Sequence, residues 1–207
     1  MKNAIHKIYY LLGSLFCYIC LLWWKLRDFV SKPDNESILF VAHPDDDTLF
    51  FHSFIKANKP YVVLLFTGWS IKRLLCFFKV MKYYGVRYRA YPTISASSYS
   101  NDRRRKATEQ HISDCLNIKS FTLCATHNSE GEYGHPTHKL VHESVVKTAD
   151  IPILTPVTQD DIADYPLDKK TLDEKLWIFE HLYTSELWTA TELSLWMNNE
   201  KLVCCEQ

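Results

Sequence analysis

The segment from Ala42 to Asp47 combines an imidazole with three consecutive carboxylates. It reads Ala-His-Pro-Asp-Asp-Asp and overlaps the end of the apolar run Ser37–Ala42. Adjacent carboxylates repel one another unless a cation lies among them. His43 and Asp46 are separated by a proline-containing turn, so both side chains can reach one ion. A simple turn without a ligand is the alternative interpretation of such a sequence.

A second cluster of polar residues lies at Gly131–His138, with the sequence GEYGHPTH. It follows a candidate strand and opens a candidate helix, so a capped helix start would also explain it. A His-x-x-Asp pair with a distant histidine forms a three-ligand set that leaves one position open for water, as catalytic zinc sites do. Because α/β proteins place their active sites after the strands, the two clusters together favour a metal-dependent site.

Alternating apolar and amphipathic segments must position these clusters. The runs 37–42 and 61–66 are continuously apolar and predict buried parallel strands, and 120–125 and 151–154 are weaker strand candidates. Helices are predicted over 47–57, 71–84, 104–116, 138–149 and 171–188. This alternation predicts a Rossmann-like, three-layer α/β/α domain with a mostly parallel sheet.

Composition narrows the class of protein. The chain has 207 residues, of which 47% are hydrophobic, with 24 basic and 24 acidic side chains. Such a chain is long enough for one folded domain and too apolar to be disordered. A net charge of zero provides no overall field for binding nucleic acid. The seven cysteines lack the spacing of a zinc ribbon, and we interpret them as reduced thiols of a cytosolic domain.

Residues 8–24 carry no charge and are flanked by Lys7 and Lys25. Seventeen helical residues span about 25 Å, close to a hydrocarbon core of about 30 Å. We predict a membrane anchor at 1–30, followed by the domain at 37–207. The basic residues after the run slightly outnumber those before it, which favours a single-pass protein with a cytosolic catalytic domain. A buried core helix and a cleaved signal peptide are the alternatives.

The two polar clusters also resemble a known family. AHPDDD at 42–47 and GEYGHPTH at 131–138 are similar to the paired motifs AHPDDE and GxxGHxDH of the LmbE/PIG-L-like zinc-dependent N-deacetylases. This family includes the enzyme that deacetylates N-acetylglucosaminyl-phosphatidylinositol. The resemblance covers about 37–146, with a weaker similarity at 183–186. It implies that the metal ligands are His43, Asp46 and His138.

The resemblance also implies roles for four other residues. Asp45 corresponds to the general base, and His135 to a second catalytic histidine. Tyr133 corresponds to an oxyanion or gate residue, and Arg73 lies where relatives carry a substrate-binding arginine followed by glutamate. No glutamate follows Arg73 here, and Asp47 and Thr137 replace the usual Glu and Asp. Two further histidines have lesser expected roles. His142 shares a helix face with His138, so it can support the ligands or replace one, but packing or exposure on the helix surface is favoured. His127 is expected to line the pocket.

The expected function is removal of acetyl from an N-acetylglucosamine-type sugar in a glycolipid or glycan precursor. In this scheme Asp45 activates a zinc-bound water, although a nitrogen and oxygen ligand set also accepts Fe²⁺. The expected partners are the N-acetylated sugar or glycolipid and the membrane, without nucleic acid; the oligomeric state is not predicted. The alternatives are an amidase acting on a soluble conjugate and an inactive, scaffold-like relative.

Overall fold

The computed structural model describes residues 35–68, 70–91 and 101–205, with Asn101 described by its backbone alone. These residues form an α/β fold with one six-stranded sheet. The strands are β1 (Ser37–Val41), β2 (Tyr61–Leu64), β3 (Tyr88–Ala90), β4 (Leu123–Ala125), β5 (Ile153–Pro156) and β6 (Leu202–Cys204). The helices are α1 (Asp46–Asn58), α2 (Ile71–Tyr84), α3 (Asn101–Leu116), α4 (Pro136–Thr148), α5 (Lys169–His181), α6 (Leu187–Glu192) and α7 (Ser194–Asn198), with a 3₁₀ turn at Ile162–Asp164.

The strand order places the two polar clusters side by side. The order is β3-β2-β1-β4-β5-β6; the first five strands are parallel, and β6 is antiparallel to β5. The chain moves outward from β1 to β3 and then returns to β4 on the other side of β1. The direction therefore switches between β1 and β4, where open α/β sheets form a crevice at the carboxyl ends of their strands. One polar cluster follows β1, and the other follows β4.

Helices cover both faces of the sheet. One core contains Leu39 and Val41 of β1 together with apolar side chains from α1, α2, α5 and α7. The other contains Ile38 and Phe40 with side chains from α3 and α4. Alternate residues of β1 thus point to opposite cores, and all five residues of the strand are buried. The expected three layers are present in the described part of the chain.

Local sequence accounts for the bounds of α2, which match the predicted 71–84. The hydroxyl of Ser70 accepts the Arg73 N–H at the start, and Gly85 ends the helix with a φ of 66°. Glycine adopts this left-handed conformation without a steric cost, so it terminates helices readily.

The prediction of one helix over 171–188 is wrong. Helix α5 ends at His181, and α6 begins at Leu187 after a short turn. In that turn the Tyr183 side chain is fully buried, and its hydroxyl donates to Asp47. Periodicity alone does not reveal this buried contact between distant residues.

Strands β3 and β6 were not predicted. Each has three residues, too few for a recognisable pattern, and β6 is partly exposed. Within the described ranges, no helix combines the length and apolar character needed to cross a membrane. The predicted anchor at 1–30 lies outside the described residues and stays a prediction.

Candidate active site

The loop after β1 changes direction sharply at Asp45. Its φ is 104°, an unusual value for a residue other than glycine, and α1 starts at the next residue. Although Asp45 occupies the N-cap position, its carboxylate makes no capping hydrogen bond. The turn therefore directs the Asp45 and Asp46 carboxylates to different surroundings.

Three of the predicted residues converge on one point. His43 Nδ1 lies 3.2 Å from His138 Nε2. Asp46 Oδ2 lies 3.5 Å from His43 Nδ1 and 3.4 Å from His138 Nε2. The clusters after β1 and β4 thus bring two imidazole nitrogens and one carboxylate oxygen together.

These distances fit a tetrahedral metal ion. Zinc binds nitrogen and oxygen ligands at about 2.0–2.2 Å, which separates tetrahedral ligand atoms by roughly 3.3–3.6 Å. The three measured separations of 3.2–3.5 Å nearly coincide with that interval. Burial would raise the pKa of Asp46, but His138, His127 and His43 hold it well below the usual value. The donor set therefore offers an ionised carboxylate and two imidazoles to a cation.

Glu132 orients one of these imidazoles. Its Oε2 lies 2.6 Å from His138 Nδ1, so that nitrogen carries the proton and Nε2 keeps its lone pair for a metal. Glu132 is almost fully buried, and burial would raise its pKa, but contacts with His127 and His138 lower the pKa to about 2. Glu132 is therefore an ionised, buried acceptor behind His138.

His127 also borders the cluster. Asp46, His127 and His138 form a second group of donors with suitable separation, beside the group His43, His135 and His138. Burial lowers the pKa of His127, whereas Glu132 and Asp46 raise it to about 10. However, the Ala42 N–H donates to His127 Nε2 at 3.0 Å, and an accepting nitrogen carries no proton. We therefore regard His127 as neutral, with its lone pair occupied by the backbone, and not as a ligand.

His142 supports His127. Its Nδ1 donates to the His127 carbonyl oxygen at 2.8 Å from the buried side of α4. The structure thus places His142 behind the loop that carries His127.

His135 is a neutral imidazole with its N–H at Nε2. The Thr137 N–H donates to His135 Nδ1 at 3.2 Å, which leaves the proton of the neutral ring on Nε2. Burial, reinforced by His138 and His43, lowers the pKa of His135 to about 4. Its ring centroid lies 4.7 Å from that of His43 and 4.6 Å from that of His138. A neutral imidazole that can donate a hydrogen bond therefore lies beside His43 and His138.

Asp45 faces the other side of the site. Arg73 Nη2 donates to Asp45 Oδ1 at 3.1 Å and to the Pro44 carbonyl at 3.0 Å. The Thr189 hydroxyl lies between Asp45 Oδ2, at 3.1 Å, and the Glu186 carbonyl, and its single proton serves one of them at a time. Burial and the neighbouring Asp46 raise the pKa of Asp45 well above its usual value, and Arg73 opposes them.

The segment 183–186 closes this side. Arg73 Nε lies 2.8 Å from Glu186 Oε1, and the Tyr183 hydroxyl donates to Asp47 Oδ2. Asp47 is completely buried and also accepts from the Thr48 hydroxyl at 2.8 Å. Arg73, expected to bind substrate, is thus engaged by two carboxylates of the protein.

Tyr133 lies at the entrance, with 39% of its surface exposed. Its ring centroid is 5.6 Å from that of His138 and 5.8 Å from that of His135. The tight turn beneath it depends on Gly131, where an added Cβ would lie only 2.5 Å from the His135 carbonyl oxygen. The turn therefore presents Tyr133 and His135 together.

Sequence reasoning assigned no role to Glu132, Glu186 or Thr189. A usable signal existed for Glu132, which precedes His135 and His138 by three and six residues. Glu186 lies in the weak similarity at 183–186, which suggested no role for it, and Thr189 is distant in sequence and had no signal.

Comparisons with known proteins agree on the fold. No family model matches the chain. It is 20% identical to the uncharacterized protein L374 of Acanthamoeba polyphaga mimivirus, over 73% of this chain and 72% of that protein.

Several solved structures are similar, including the following three. A deacetylase triple mutant, Orf2*T, of the teicoplanin biosynthetic pathway has a TM-score of 0.61 at 13% identity, over 78% of this chain and 87% of that one. The A40926 pseudoaglycone deacetylase Dbv21 has a TM-score of 0.60 at 16% identity, covering 75% and 84%. GalB, the 4-carboxy-2-hydroxymuconate hydratase of Pseudomonas putida KT2440, has a TM-score of 0.52 at 15% identity, covering 76% and 85%. At these identities the likeness establishes the fold alone, and one fold serves two kinds of reaction.

Proposed function

We propose that the protein is a metal-dependent hydrolase that removes acetyl from an N-acetylated amino sugar. The observation that carries this proposal is the convergence of His43, Asp46 and His138. The buried carboxylate of Asp45 adjoins Asp46 in the chain, and the neutral imidazole of His135 lies beside the rings of His43 and His138. The similarity of the fold to two deacetylases and the two sequence motifs support the same reaction. The hydratase with this fold shows why the proposal depends on the site.

In the proposed site, His43, Asp46 and His138 would hold one divalent ion, for which zinc fits best and Fe²⁺ is acceptable. Such an ion supplies Lewis acidity towards water and towards the amide carbonyl. The protein supplies the proton transfers. Asp45 accepts the proton of the attacking water and passes it to the leaving amine. His135 donates from Nε2 to the oxygen on which negative charge develops.

The raised pKa of Asp45 suits this role. A carboxylate of ordinary pKa, about 4, is a weak base at neutral pH, and burial makes it stronger. Arg73 opposes this rise in the pKa of Asp45 and fixes the direction of the carboxylate through Oδ1. In this proposal Arg73 positions Asp45, whether or not it also contacts the substrate. Tyr133 at the entrance is placed to cover the bound acetamide or to donate to its oxygen.

The substrate class and cellular location extend the proposal. A glycolipid or glycan precursor carrying N-acetylglucosamine is the proposed substrate, reached from a membrane through the uncharged run at 8–24. The domain would then lie on the cytosolic side. A chain that begins at Pro33 tests the role of the uncharged run. It should still hydrolyse soluble N-acetyl sugars but no longer act on lipid-linked ones.

Acetate release from a panel of N-acetylated sugars, lipid-linked sugars and soluble amide conjugates tests the function. We expect release from the sugars, loss of activity with a chelator, and recovery with zinc. Release from soluble conjugates alone would favour the amidase alternative. A metal-loaded, folded protein that releases nothing would favour the scaffold alternative.

A further inference from the structure

Two arginines border the candidate site, and their charges are compensated differently. Arg73 contacts two carboxylates, Asp45 at 3.1 Å and Glu186 at 2.8 Å. Arg104, at the start of α3, instead donates from Nη2 to the hydroxyl of Thr137 at 3.0 Å. Its guanidinium lies over the Phe66 ring, 4.6 Å from the centroid. A hydroxyl and an aromatic ring orient this cation without neutralising it.

No carboxylate of the described residues forms an ion pair with Arg104. The segment 92–100, which precedes α3, has the sequence PTISASSYS and contains no acidic residue. The pKa values show the same contrast. Burial lowers the pKa of Arg104, whereas for Arg73 the effect of burial is outweighed by Asp45 and Glu186, which raise its pKa. Arg104 remains protonated, and among residues 35–68, 70–91 and 101–205 its charge has no carboxylate partner.

The position of Arg104 relates it to the reaction centre. Thr137 lies between His135 and His138 in sequence, and its N–H donates to His135 Nδ1. On the other side of the guanidinium, the Phe66 N–H donates to the carbonyl of Ala42, the residue before His43. Arg104 therefore lies on the His135 side of the site, whereas Arg73 lies on the Asp45 side. Arg104 is partly exposed, so a ligand can reach its guanidinium.

We propose that Arg104 binds a phosphate group of the substrate, so that the enzyme selects phosphorylated N-acetyl sugars over neutral ones. The inference rests on the proposed function and adds a specificity residue to it. The planar guanidinium offers parallel donors that match phosphate oxygens, and Thr137 and Phe66 hold it in one orientation. The phosphate could belong to a soluble sugar phosphate or to a phosphodiester-linked lipid, since both present the same oxygens.

The test compares ligands that differ only in the phosphate. Dissociation constants are measured by calorimetry on the full chain, loaded with zinc and carrying Asp45→Asn so that hydrolysis is slow. The ligands are methyl N-acetylglucosaminide, N-acetylglucosamine 1-phosphate and N-acetylglucosamine 6-phosphate. A phosphodiester-linked N-acetylglucosaminyl lipid in micelles forms a fourth arm. We expect tighter binding of at least one phosphorylated ligand by roughly 10- to 100-fold, as a charge-assisted contact provides. Tighter binding of the soluble sugar phosphates would indicate a soluble substrate, and tighter binding of the phosphodiester-linked lipid would indicate a lipid substrate.

Variants then assign the preference to Arg104. Arg104→Met should bind the neutral glycoside as before and lose the preference for phosphate, whereas Arg104→Lys should keep part of it. Arg105→Met is the matched control, because the adjacent arginine is exposed and already pairs with Glu143 at 2.6 Å. Thr137→Val separates charge from structural support, since it removes the hydrogen bond and leaves the cation. It should retain most of the preference.

Equal affinity for neutral and phosphorylated ligands in the Asp45→Asn protein with Arg104 intact would overturn the inference. So would a preference that survives in Arg104→Met, or one that Arg105→Met loses equally. Failure of the proposed function looks different: no acetate is released from any ligand, while the phosphate preference in binding still depends on Arg104. If Arg104→Met does not fold, Arg104→Lys and Thr137→Val still decide the question.

Discussion

Asp45 and Asp46 are adjacent in the chain and both buried, but their pKa values shift in opposite directions. Asp46 is surrounded by imidazoles, which hold its pKa well below the ordinary value. Asp45 faces Arg73 and Thr189, and burial with the neighbouring charge of Asp46 keeps its pKa well above that value. Burial alone therefore does not determine what a carboxylate does. The partners that the fold brings to each one separate a candidate ligand from a candidate base.

The backbone creates this difference. At Asp45 the positive φ of 104° turns the chain, and α1 begins at Asp46. A conformation of this kind costs roughly 1–3 kcal/mol, which surrounding contacts must offset. Arg73 provides two of them, through the Pro44 carbonyl and the Asp45 carboxylate. The strain is thus located where two side chains must diverge.

The largest expected effect tests the ligand side of this comparison. Asp46→Asn should lose metal on dialysis, because an amide is a far weaker ligand than a carboxylate. Its metal affinity should fall by more than the roughly 10- to 100-fold that loss of a supporting residue costs. Metal content by atomic spectroscopy measures this, with Asp45→Asn as the control that stays loaded. Equal metal loss in both variants would contradict the distinction between the two carboxylates.

The next effect tests the proton-transfer side. Asp45→Asn keeps the shape of the side chain and removes its basicity. We expect kcat to fall by about 10²- to 10⁴-fold with little change in KM, the usual cost of a lost general base. Excess zinc should restore part of the activity of Asp46→Asn and none of that of Asp45→Asn. If added metal restored the activity of Asp45→Asn, Asp45 would be the metal ligand and Asp46 the base.

Glu132 allows a smaller test of the ligand side. Glu132→Gln leaves one amide group in place of the carboxylate that accepts from both His127 and His138. Because the proton on His138 Nδ1 is then held less firmly, metal affinity or activity should fall by about 10- to 100-fold. Glu130→Gln is the control, because this neighbouring glutamate is exposed. A change of equal size in both variants would exclude a specific role for Glu132.

The sequence was informative about the strands and about residues close together in the chain. Buried runs such as Ser37–Val41 and a capped helix such as α2 follow from local patterns, and so does the position of the metal-site motifs after strands. The break after His181 was not predicted; the turn there holds a hydrogen bond between Tyr183 and Asp47, 136 residues away, which local patterns do not report. For the same reason, the engagement of Arg73 with Glu186 was invisible in the sequence.

The smallest expected effect concerns Arg73, for which two roles compete. If Arg73 positions Asp45, its removal should shift the acid limb of the pH profile of kcat/KM, which reports the ionisation of the free enzyme. An opposite charge at this distance lowers a carboxylate pKa by about 1–3 units. Arg73→Met should therefore raise the pKa of Asp45 and move the limb upward by about one pH unit or more. At high pH, where Asp45 is ionised in both proteins, the rates should converge.

A role in binding substrate gives a different result. KM would then rise at every pH, and the limb would stay where it is in the wild type. Arg73→Lys restores the charge near Asp45 and should return the limb towards its original position, although one lysine cannot reproduce contacts with Pro44, Asp45 and Glu186 together. Lys72→Met, on the exposed face of α2, controls for the loss of a nearby cation and should leave the limb unchanged. Because Glu186 is buried, Arg73→Met also leaves one carboxylate unpaired, so its unfolding temperature should fall, and profiles are compared well below it. A limb that moves equally in the Lys72 and Arg73 variants would show that net charge, and not the contact with Asp45, sets the ionisation of the base.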